Sequence, residues 1–416
     1  MIDGDEYNKI RSKVMQSIDL SGNIEDMQVR EAIDRSILEY SNEGTLSVKD
    51  KLAIKHDLFN SLRRLDVLSE MLDDDDITEI MINGADNIFI ERGGRLCRYD
   101  KAFESEDRLN SVIQHIVAGC NRIVNEASPI VDARLGDGSR VNVVISPISL
   151  GGSVMTIRKF PKEGMTMGRL LELGAITPEV GEFLRKLVVS GYNMIVSGGT
   201  GAGKTTFLNA LSGYIPSDER IVTIEDSAEL QLTGIENLVR LEARDANVEG
   251  ENAVSIRDLI KASLRMRPSR IIVGEVRDAA AIDMLQAMNT GHDGSLSTGH
   301  ANSSKDMLTR LESMVLMGAD MPILAIRQQI ASAVDVVIQL GRLRDKSRRC
   351  LEISEVMGLE GGEFVINKLY EFRENGIKAG RVTGTLEKIN DLHNTTKLVS
   401  AGFIDVIHDH EKTGGE

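Results

Sequence analysis

The sequence predicts an α/β fold whose main sheet is mostly parallel, preceded by a smaller α+β domain and an N-terminal helical segment. From residue 177 onward, short apolar runs alternate with helical periodicity, which is typical of a parallel sheet with helices on both faces. Between residues 77 and 97 the apolar residues alternate with a period of two and glycine turns separate the runs, which indicates hairpins. We expect a helical segment, an α+β domain, a linker and an α/β domain with a strand-rich C-terminal extension, over 1–75, 76–160, 161–176 and 177–416.

The first half of the chain contains both helical periodicity and the two-residue alternation of strands. Leucines recur at steps of three and four from Leu58 to Leu68, which predicts a helix with one apolar face. Proline and glycine interrupt both periods between Phe160 and Gly164, which predicts a domain boundary. The predicted elements of the α+β domain are strands at 77–82, 87–91 and 95–97, a helix from Ser105, and strands near 140–145 and 154–159.

The second half begins with a helix that Thr177 caps, with Pro178 at its first position and Gly191 after its end. Ser255 and Asp258 form a predicted capping box at the start of a later helix. The predicted order is strand 192–196, helix from 204, strand 220–225, helix 255–266, strand 271–274, helix 278–290, strand 295–298, helices 303–317 and 322–333, and hairpin-like strands from 334 to about 370. A ligand site is expected at the carboxyl ends of the parallel strands.

Composition excludes several classes of function. The chain has 49 basic and 64 acidic residues, a net charge of −15, which disfavours a general nucleic-acid surface and binding to anionic lipid. The three cysteines, Cys97, Cys120 and Cys350, are too far apart for a disulfide framework or a four-thiolate zinc site, so we expect a reducing, cytoplasmic compartment. No apolar run approaches the ~20 residues that cross a bilayer. We therefore expect membrane contact only through a partner and no direct nucleic-acid partner.

The segment Gly198 to Thr206 fits the phosphate-loop (Walker A) pattern G-x-x-x-x-G-K-[ST] between an apolar strand and a helix. Small residues let consecutive backbone N–H groups point at a phosphate chain, and the helix directs its positive dipole end at the same anion. Lys204 is expected to reach the β- and γ-phosphates of ATP, and the Thr205 hydroxyl to bind Mg²⁺. The predicted nucleotide-binding residues are Gly198, Thr200, Gly201, Ala202, Gly203, Lys204, Thr205 and Thr206.

Two glutamates follow apolar strands in the same domain. Glu225 ends one strand, where a carboxylate can orient and deprotonate the attacking water. Glu275 follows a strand of the Walker B kind that lacks the usual aspartate, so we expect it to support Mg²⁺ through water. A glutamate at a strand end is also often only a solvated edge residue.

Histidines and arginines complete the set of candidate residues. His292 and His300 flank a short strand, and Arg265 and Arg267 precede the Walker B strand. A single histidine is often a core residue, and an arginine at a helix end often complements the dipole. Zinc binding is disfavoured because no cysteine or third histidine lies nearby in the sequence. The phosphate loop, the two glutamates, the histidines and the arginines all occur in the same α/β domain. Their occurrence together favours a shared function over chance.

These motifs resemble those of the ATPases of the type II/type IV secretion superfamily, from about residue 76 to 340. Residues 223–226 look like the family's Asp box, 274–277 like its atypical Walker B and 290–301 like its His box. The segments 76–84, 137–142 and 264–268 look most like the tight-adherence (Flp) pilus assembly ATPases of the TadA/CpaF type. The resemblance implies a RecA-like domain behind a PAS-like one, and a homo-hexameric motor on the cytoplasmic face that drives an inner-membrane platform.

The resemblance also assigns roles to residues. It implies that first-domain arginines act on the γ-phosphate. Arg134 and Arg140, in a glycine-rich hairpin that could otherwise be a solvated turn, are the candidates, with Arg265 and Arg267 as the remaining ones. His300 follows its strand on the phosphate side, so a hydrogen bond to the γ-phosphate would let it sense ATP, and we expect His292 to be more structural. Two alternatives stay open: a conjugation-type secretion ATPase that moves DNA or effector proteins, and a nucleotide-gated binding module with slow turnover.

Overall fold

A computed structural model describes residues 4–17, 26–41, 46–63, 65–160, 164–244, 251–378 and 380–404. The chain divides into two compact units, Met1–Lys162 and Glu163–Glu416. The division falls within the expected boundary segment, of which residues 161–163 lie outside the described residues. None of the described helices has the length and apolar character needed to cross a membrane.

The first unit begins with helices. They are α1 (Gly4–Ser17), α2 (Asp26–Ser41), α3 (Val48–Arg63) and α4 (Val67–Asp73). The leucine-rich stretch predicted as one helix is two, because Asp66 has a positive φ of 58° and its side chain accepts a hydrogen bond from the Val67 N–H, which caps α4. Leu58 consequently packs in the core of the N-terminal helices, and Leu68 packs in the core of the following sheet.

The rest of the first unit is an antiparallel sheet with one long helix. Its elements are β1 (Ile77–Asn83), β2 (Ile88–Arg92), β3 (Arg95–Arg98), α5 (Glu106–Gly119), β4 (Ile130–Arg134), β5 (Arg140–Val144) and β6 (Val154–Arg158). The strand order is β3-β2-β1-β6-β5-β4. Helix α5 begins where it was predicted, and Ser105 is its N-cap. One apolar face of this helix is buried: Leu109, Val112, Ile113, Ile116 and Val117.

The second unit contains the predicted mostly parallel sheet. Its helices are α6 (Met167–Glu172), α7 (Pro178–Val189), α8 (Lys204–Ser212), α9 (Ile256–Ser263), α10 (Ala280–Asn289), α11 (Ser304–Leu316), α12 (Ile323–Ala333) and α13 (Thr396–Ser400). Its strands are β7 (Met194–Gly198), β8 (Ile221–Glu225), β9 (Leu238–Glu242), β10 (Arg270–Val273), β11 (Leu296–Gly299), β12 (Val336–Arg342), β13 (Arg348–Glu360), β14 (Glu363–Lys378) and β15 (Arg381–Lys388).

The sheet order is β15-β14-β13-β12-β7-β11-β10-β8-β9, parallel from β12 to β9 and antiparallel from β12 to β15. Every residue of β7, β8, β10 and β11 is buried, as expected for central strands covered on both faces. The α/β fold is confirmed. Helix α6 lies in the segment assigned to a linker, and Met167 and Leu170 pack into the core of this unit.

Candidate active site

The phosphate loop connects β7 to α8 and lies against the neighbouring strand β12. Gly201 and Gly203 have φ values of 71° and 91°, which side-chain-bearing residues rarely adopt. A Cβ atom placed on Gly198 would lie 2.7 Å from the carbonyl oxygen of Leu340, so that position also requires glycine. The loop therefore brings the N-terminus of α8, with its unpaired N–H groups, to the carboxyl edge of the sheet.

Lys204 is the first residue of α8 and only 7% of its surface is exposed. Its Nζ donates to the carbonyl oxygen of Gly199 at 3.1 Å. Burial lowers the pKa of Lys204, although nearby Glu275 partly opposes the effect. No ion pair with Lys204 occurs among the described residues. A buried cation at a helix N-terminus, with no carboxylate paired to it, fits a phosphate group, and half-buried Thr205 follows it on the same turn.

The ring of His300 lies between Lys204 and Glu275. Lys204 Nζ is 3.2 Å from His300 Nδ1, and His300 Nε2 is 3.3 Å from Glu275 Oε1. Burial, followed by the charge of Lys204, lowers the pKa of His300, so the ring is neutral at pH 7. These distances fit a tautomer in which Nδ1 accepts from Lys204 and Nε2 donates to Glu275. His300 reaches this position because it follows β11, which runs parallel to β7 with Gly299 opposite Ser197.

Glu275 also forms an ion pair with Arg277, which in turn contacts Asp226. Arg277 Nη2 donates to Glu275 Oε2 at 3.0 Å, and Nη1 lies 3.2 Å from Asp226 Oδ2. These residues follow β10 and β8, which are parallel neighbours in the sheet. Glu275 and Asp226 therefore provide carboxylate oxygens at the edge where the phosphate loop lies, which suits a hydrated Mg²⁺.

Glu225 is the most buried carboxylate of the site, with 3% of its surface exposed. Its Oε2 accepts hydrogen bonds from the backbone N–H groups of Glu229 at 2.7 Å and Leu230 at 2.9 Å. Its Oε1 has no hydrogen-bond partner in the part of the chain that the structure describes. Burial raises the pKa of Glu225. A buried carboxylate with one oxygen available has the properties of a general base.

The structure does not bring all candidate arginines to this site. Arg265 and Arg267 lie between α9 and β10, before the amino end of β10, whereas the phosphate loop follows the carboxyl end of β7. Because β10, β11 and β7 are parallel, these arginines lie at the opposite edge of the sheet within one chain. Arg134 and Arg140 belong to the first unit, where they are cross-strand partners in β4 and β5. Their action on a nucleotide stays a prediction.

Arg348 and His292 differ in whether the sequence marked them as candidates and in whether they contact the phosphate loop. Arg348 of β13 donates through Nε to the carbonyl oxygen of Gly201 at 2.9 Å, a contact that sequence reasoning missed because 147 residues separate the partners. His292 lies at the other end of β11 from His300, and its Nδ1 donates to the carbonyl oxygen of Ala287 at 3.1 Å, at the end of α10. Arg348 thus contacts the phosphate loop, whereas His292 does not.

Comparison with known proteins identifies the family. Residues 63–396 match the family described as type II/IV secretion system protein. The chain is 36% identical over 301 residues to a putative conjugal transfer protein of Mycobacterium tuberculosis, covering 71% of this chain and 85% of that protein. It is 34% identical over 310 residues to the type IV secretion system protein PtlH of Bordetella pertussis, covering 68% of this chain and 91% of that protein.

A solved structure supports the fold. The ATPase DotB of Yersinia pseudotuberculosis superimposes with a TM-score of 0.52, at 19% identity, over 70% of this chain and 78% of that one. At this identity the likeness concerns the fold alone. The family match and the two relatives, each above 30% identity over two thirds of the chain or more, establish that this chain belongs to the type II/IV secretion system protein family.

Proposed function

We propose that this chain hydrolyses ATP to ADP and phosphate and couples hydrolysis to the work of a secretion or pilus-assembly machine. The observation that carries the proposal is the convergence on the phosphate loop of Lys204, His300 and Glu275, with 3.2 Å between the first two and 3.3 Å between the last two. Each of these residues follows the carboxyl end of a different parallel strand. Binding of phosphates at such an edge is the expected use of this architecture.

The site residues divide the chemistry among them. Lys204 and the N-terminus of α8 bind the β- and γ-phosphates, and Glu225 orients the attacking water and accepts its proton. Thr205 holds Mg²⁺ directly and Glu275 through water, and the ion, when bound, neutralises phosphate charge. His300 contacts the γ-phosphate and thereby distinguishes ATP from ADP, and Arg134 and Arg140 add positive charge in the transition state.

The type of mechanical work has two candidates. The motif segments 76–84, 137–142 and 264–268 favour assembly of a tight-adherence (Flp) pilus. The names of the relatives favour transport of DNA or effector proteins through a type IV system, since one is called a conjugal transfer protein and another a type IV secretion protein. In both cases we propose a homo-hexamer at the cytoplasmic face of the inner membrane that acts on a membrane platform. Direct binding to nucleic acid or lipid is not part of the proposal.

Two experiments test this function. The first measures phosphate release by the purified chain with and without membranes that carry the platform, and the motor is expected to be stimulated by them. Unstimulated, very slow release would favour the nucleotide-gated binding module. The second replaces the chromosomal gene by the wild-type or the Glu225→Gln sequence and scores surface pili and DNA transfer. Loss of pili with intact transfer identifies the pilus motor, and the reverse result identifies the export motor.

A further inference from the structure

A short backbone segment, Glu229 to Gln231, holds the carboxylate of Glu225. The N–H groups of Glu229 and Leu230 donate to its Oε2 at 2.7 and 2.9 Å. The segment belongs to the stretch 226–237, which contains no helix or strand, so no ladder of backbone hydrogen bonds fixes its position. We call residues 229–231 the carboxylate clamp. Side chains can therefore satisfy its backbone polar groups and help to hold it in position.

Helix α8 and strand β9 each provide a side chain that contacts the carboxylate clamp. The Oδ1 atom of Asn209, on α8, accepts a hydrogen bond from the Gln231 N–H at 2.8 Å. The Nη2 atom of Arg240, on β9, donates to the carbonyl oxygen of Leu230 at 3.0 Å. The Leu230 side chain is itself buried in the core of the unit. The clamp is therefore fixed from one side by the helix that begins with Lys204 and from the other by the edge strand.

Packing leaves little space around the Asn209 contact. A Cβ atom placed on Gly164 would lie 3.0 Å from Gln231 Oε1 and 3.1 Å from Asn209 Nδ2. On the other side of the carboxylate, a Cβ on Gly274 would lie 2.9 Å from Glu225 Cγ. These close approaches allow few alternative positions for the clamp or for the glutamate that it holds.

We propose that Asn209 is a positioning residue that acts on hydrolysis through Glu225, by fixing the carboxylate clamp to the helix of the phosphate loop. The proposal rests on the proposed role of Glu225 as the general base. Asn209 and Lys204 lie on one short helix, so the phosphate contact and the base are connected through α8, Asn209 and the clamp. The hydrogen bond between Asn209 and Gln231 thus links the position of α8 to the position of Glu225. Arg240 supports the clamp from the opposite side.

The first test compares substitutions of Asn209. Asn209→Leu removes the acceptor and is expected to lower kcat about tenfold or more, since small displacements of catalytic groups are costly, while KM for ATP and affinity for ADP stay unchanged. Asn209→Asp keeps an oxygen at the Oδ1 position and is expected to restore most of kcat. Asn289→Leu, at the exposed end of α10, is the matched control. An equal loss in the Leu and Asp variants, or a parallel loss of nucleotide affinity, would overturn the proposal.

The second test combines Asn209→Leu with Glu225→Gln, whose amide oxygen can still accept from the clamp. If Asn209 acts through Glu225, the double variant has the residual turnover of Glu225→Gln alone, within about twofold. Multiplied losses would overturn the positioning role. Full turnover in Glu225→Gln would instead overturn the proposed base, whereas an inactive Glu225→Gln with a fully active Asn209→Leu would overturn only the clamp.

Arg240 provides an independent test if Asn209→Leu fails to fold. Arg240→Gln shortens the side chain and removes the guanidinium donor to Leu230, whereas Arg240→Lys retains a long donor. Burial raises the pKa of Glu225 and the charge of Arg240 partly opposes this effect, so the variants are compared at a pH high enough to keep Glu225 ionised. There we expect a lower kcat in the Gln variant, unchanged KM for ATP, and recovery in the Lys variant. Wild-type kcat in Arg240→Gln would show that Arg240 does not support the clamp and would contradict the proposal that flanking side chains position Glu225.

Discussion

The ammonium group of Lys204 lies 3.2 Å from Nδ1 of His300. The residue expected to bind phosphate and the residue expected to sense it are therefore direct neighbours. A phosphate that attracts the ammonium group changes the surroundings of the His300 ring in the same event. This arrangement gives a physical basis for a histidine that distinguishes ATP from ADP.

Lys204→Ala removes the buried cation of the phosphate loop. We expect weaker binding of both ATP and ADP, because charge-assisted contacts to the phosphates are lost. Titration with a fluorescent nucleotide measures the change. Lys261→Ala, an exposed lysine near Asp283 on the other side of the unit, is the control and should bind like the wild type. Unchanged ADP and ATP affinities in Lys204→Ala would place the phosphates elsewhere.

We expect His300 to act in hydrolysis and His292 to contribute only to stability. His300→Ala should reduce hydrolysis and abolish the difference in protease sensitivity between the ATP and ADP states, because the proposed γ-phosphate contact is lost. His292→Ala removes the hydrogen bond to Ala287 and should cost about 1 kcal/mol of stability while turnover is retained. If His292→Ala abolished both properties and His300→Ala neither, the assignment would be reversed.

Arg134→Ala and Arg140→Ala are expected to lower turnover with little loss of ADP affinity, because ADP lacks the γ-phosphate that the arginines address. Steady-state kinetics and ADP titration on the single and double variants measure this. Full turnover in the double variant, or equal loss of ATP and ADP binding, would remove both from the mechanism. Arg265 and Arg267 would then remain, acting across a subunit boundary because they lie at the far edge of their own sheet.

Arg270 is a structural arginine, and its removal should affect stability. It is 2% exposed, forms two hydrogen bonds of 2.5 Å to the Glu219 carboxylate, and donates to the carbonyl oxygen of Val188. Arg270→Met removes the guanidinium partner of the Glu219 carboxylate and should cost about 3 kcal/mol. The Val188 carbonyl oxygen keeps the Gly191 N–H as a donor. Urea unfolding measures the loss. Arg185→Met, which breaks an exposed pair with Glu182, should leave the midpoint almost unchanged, and an equal shift in both variants would contradict this interpretation.

Locally encoded features were predictable from the sequence. The Thr177 cap with Pro178 and the capping box of Ser255 and Asp258 occur as predicted, because cap residues act within one turn of their own helix. The apolar central strands and the phosphate loop were recognised for the same reason. The edge strands β4 and β9 were missed. Each pairs on one side only, so neither carries the continuous apolar run of a central strand.

Features that depend on distant parts of the chain were not predictable. Arg348 and Asn209 have no motif around them, and their contacts with Gly201 and Gln231 exist only because the fold brings separate segments together. The continuation of the C-terminal strands to Lys388, beyond residue 370, likewise reflects pairing between β14 and β15 rather than local pattern. The location of Arg265 away from the site could have been predicted from the sequence. Arg265 precedes the amino end of β10, whereas the site lies at the carboxyl end of that strand.

The central claim, that this chain is an ATPase with Glu225 as the base, is tested most directly by Glu225→Gln. The glutamine keeps the shape of the side chain and an acceptor for the Glu229 and Leu230 N–H groups, but it cannot accept a proton. Nucleotide titration and phosphate release are measured on the same preparation. We expect ATP binding like that of the wild type and turnover lower by about a hundredfold or more. Turnover at the wild-type rate would contradict the central claim and move the role to Glu275.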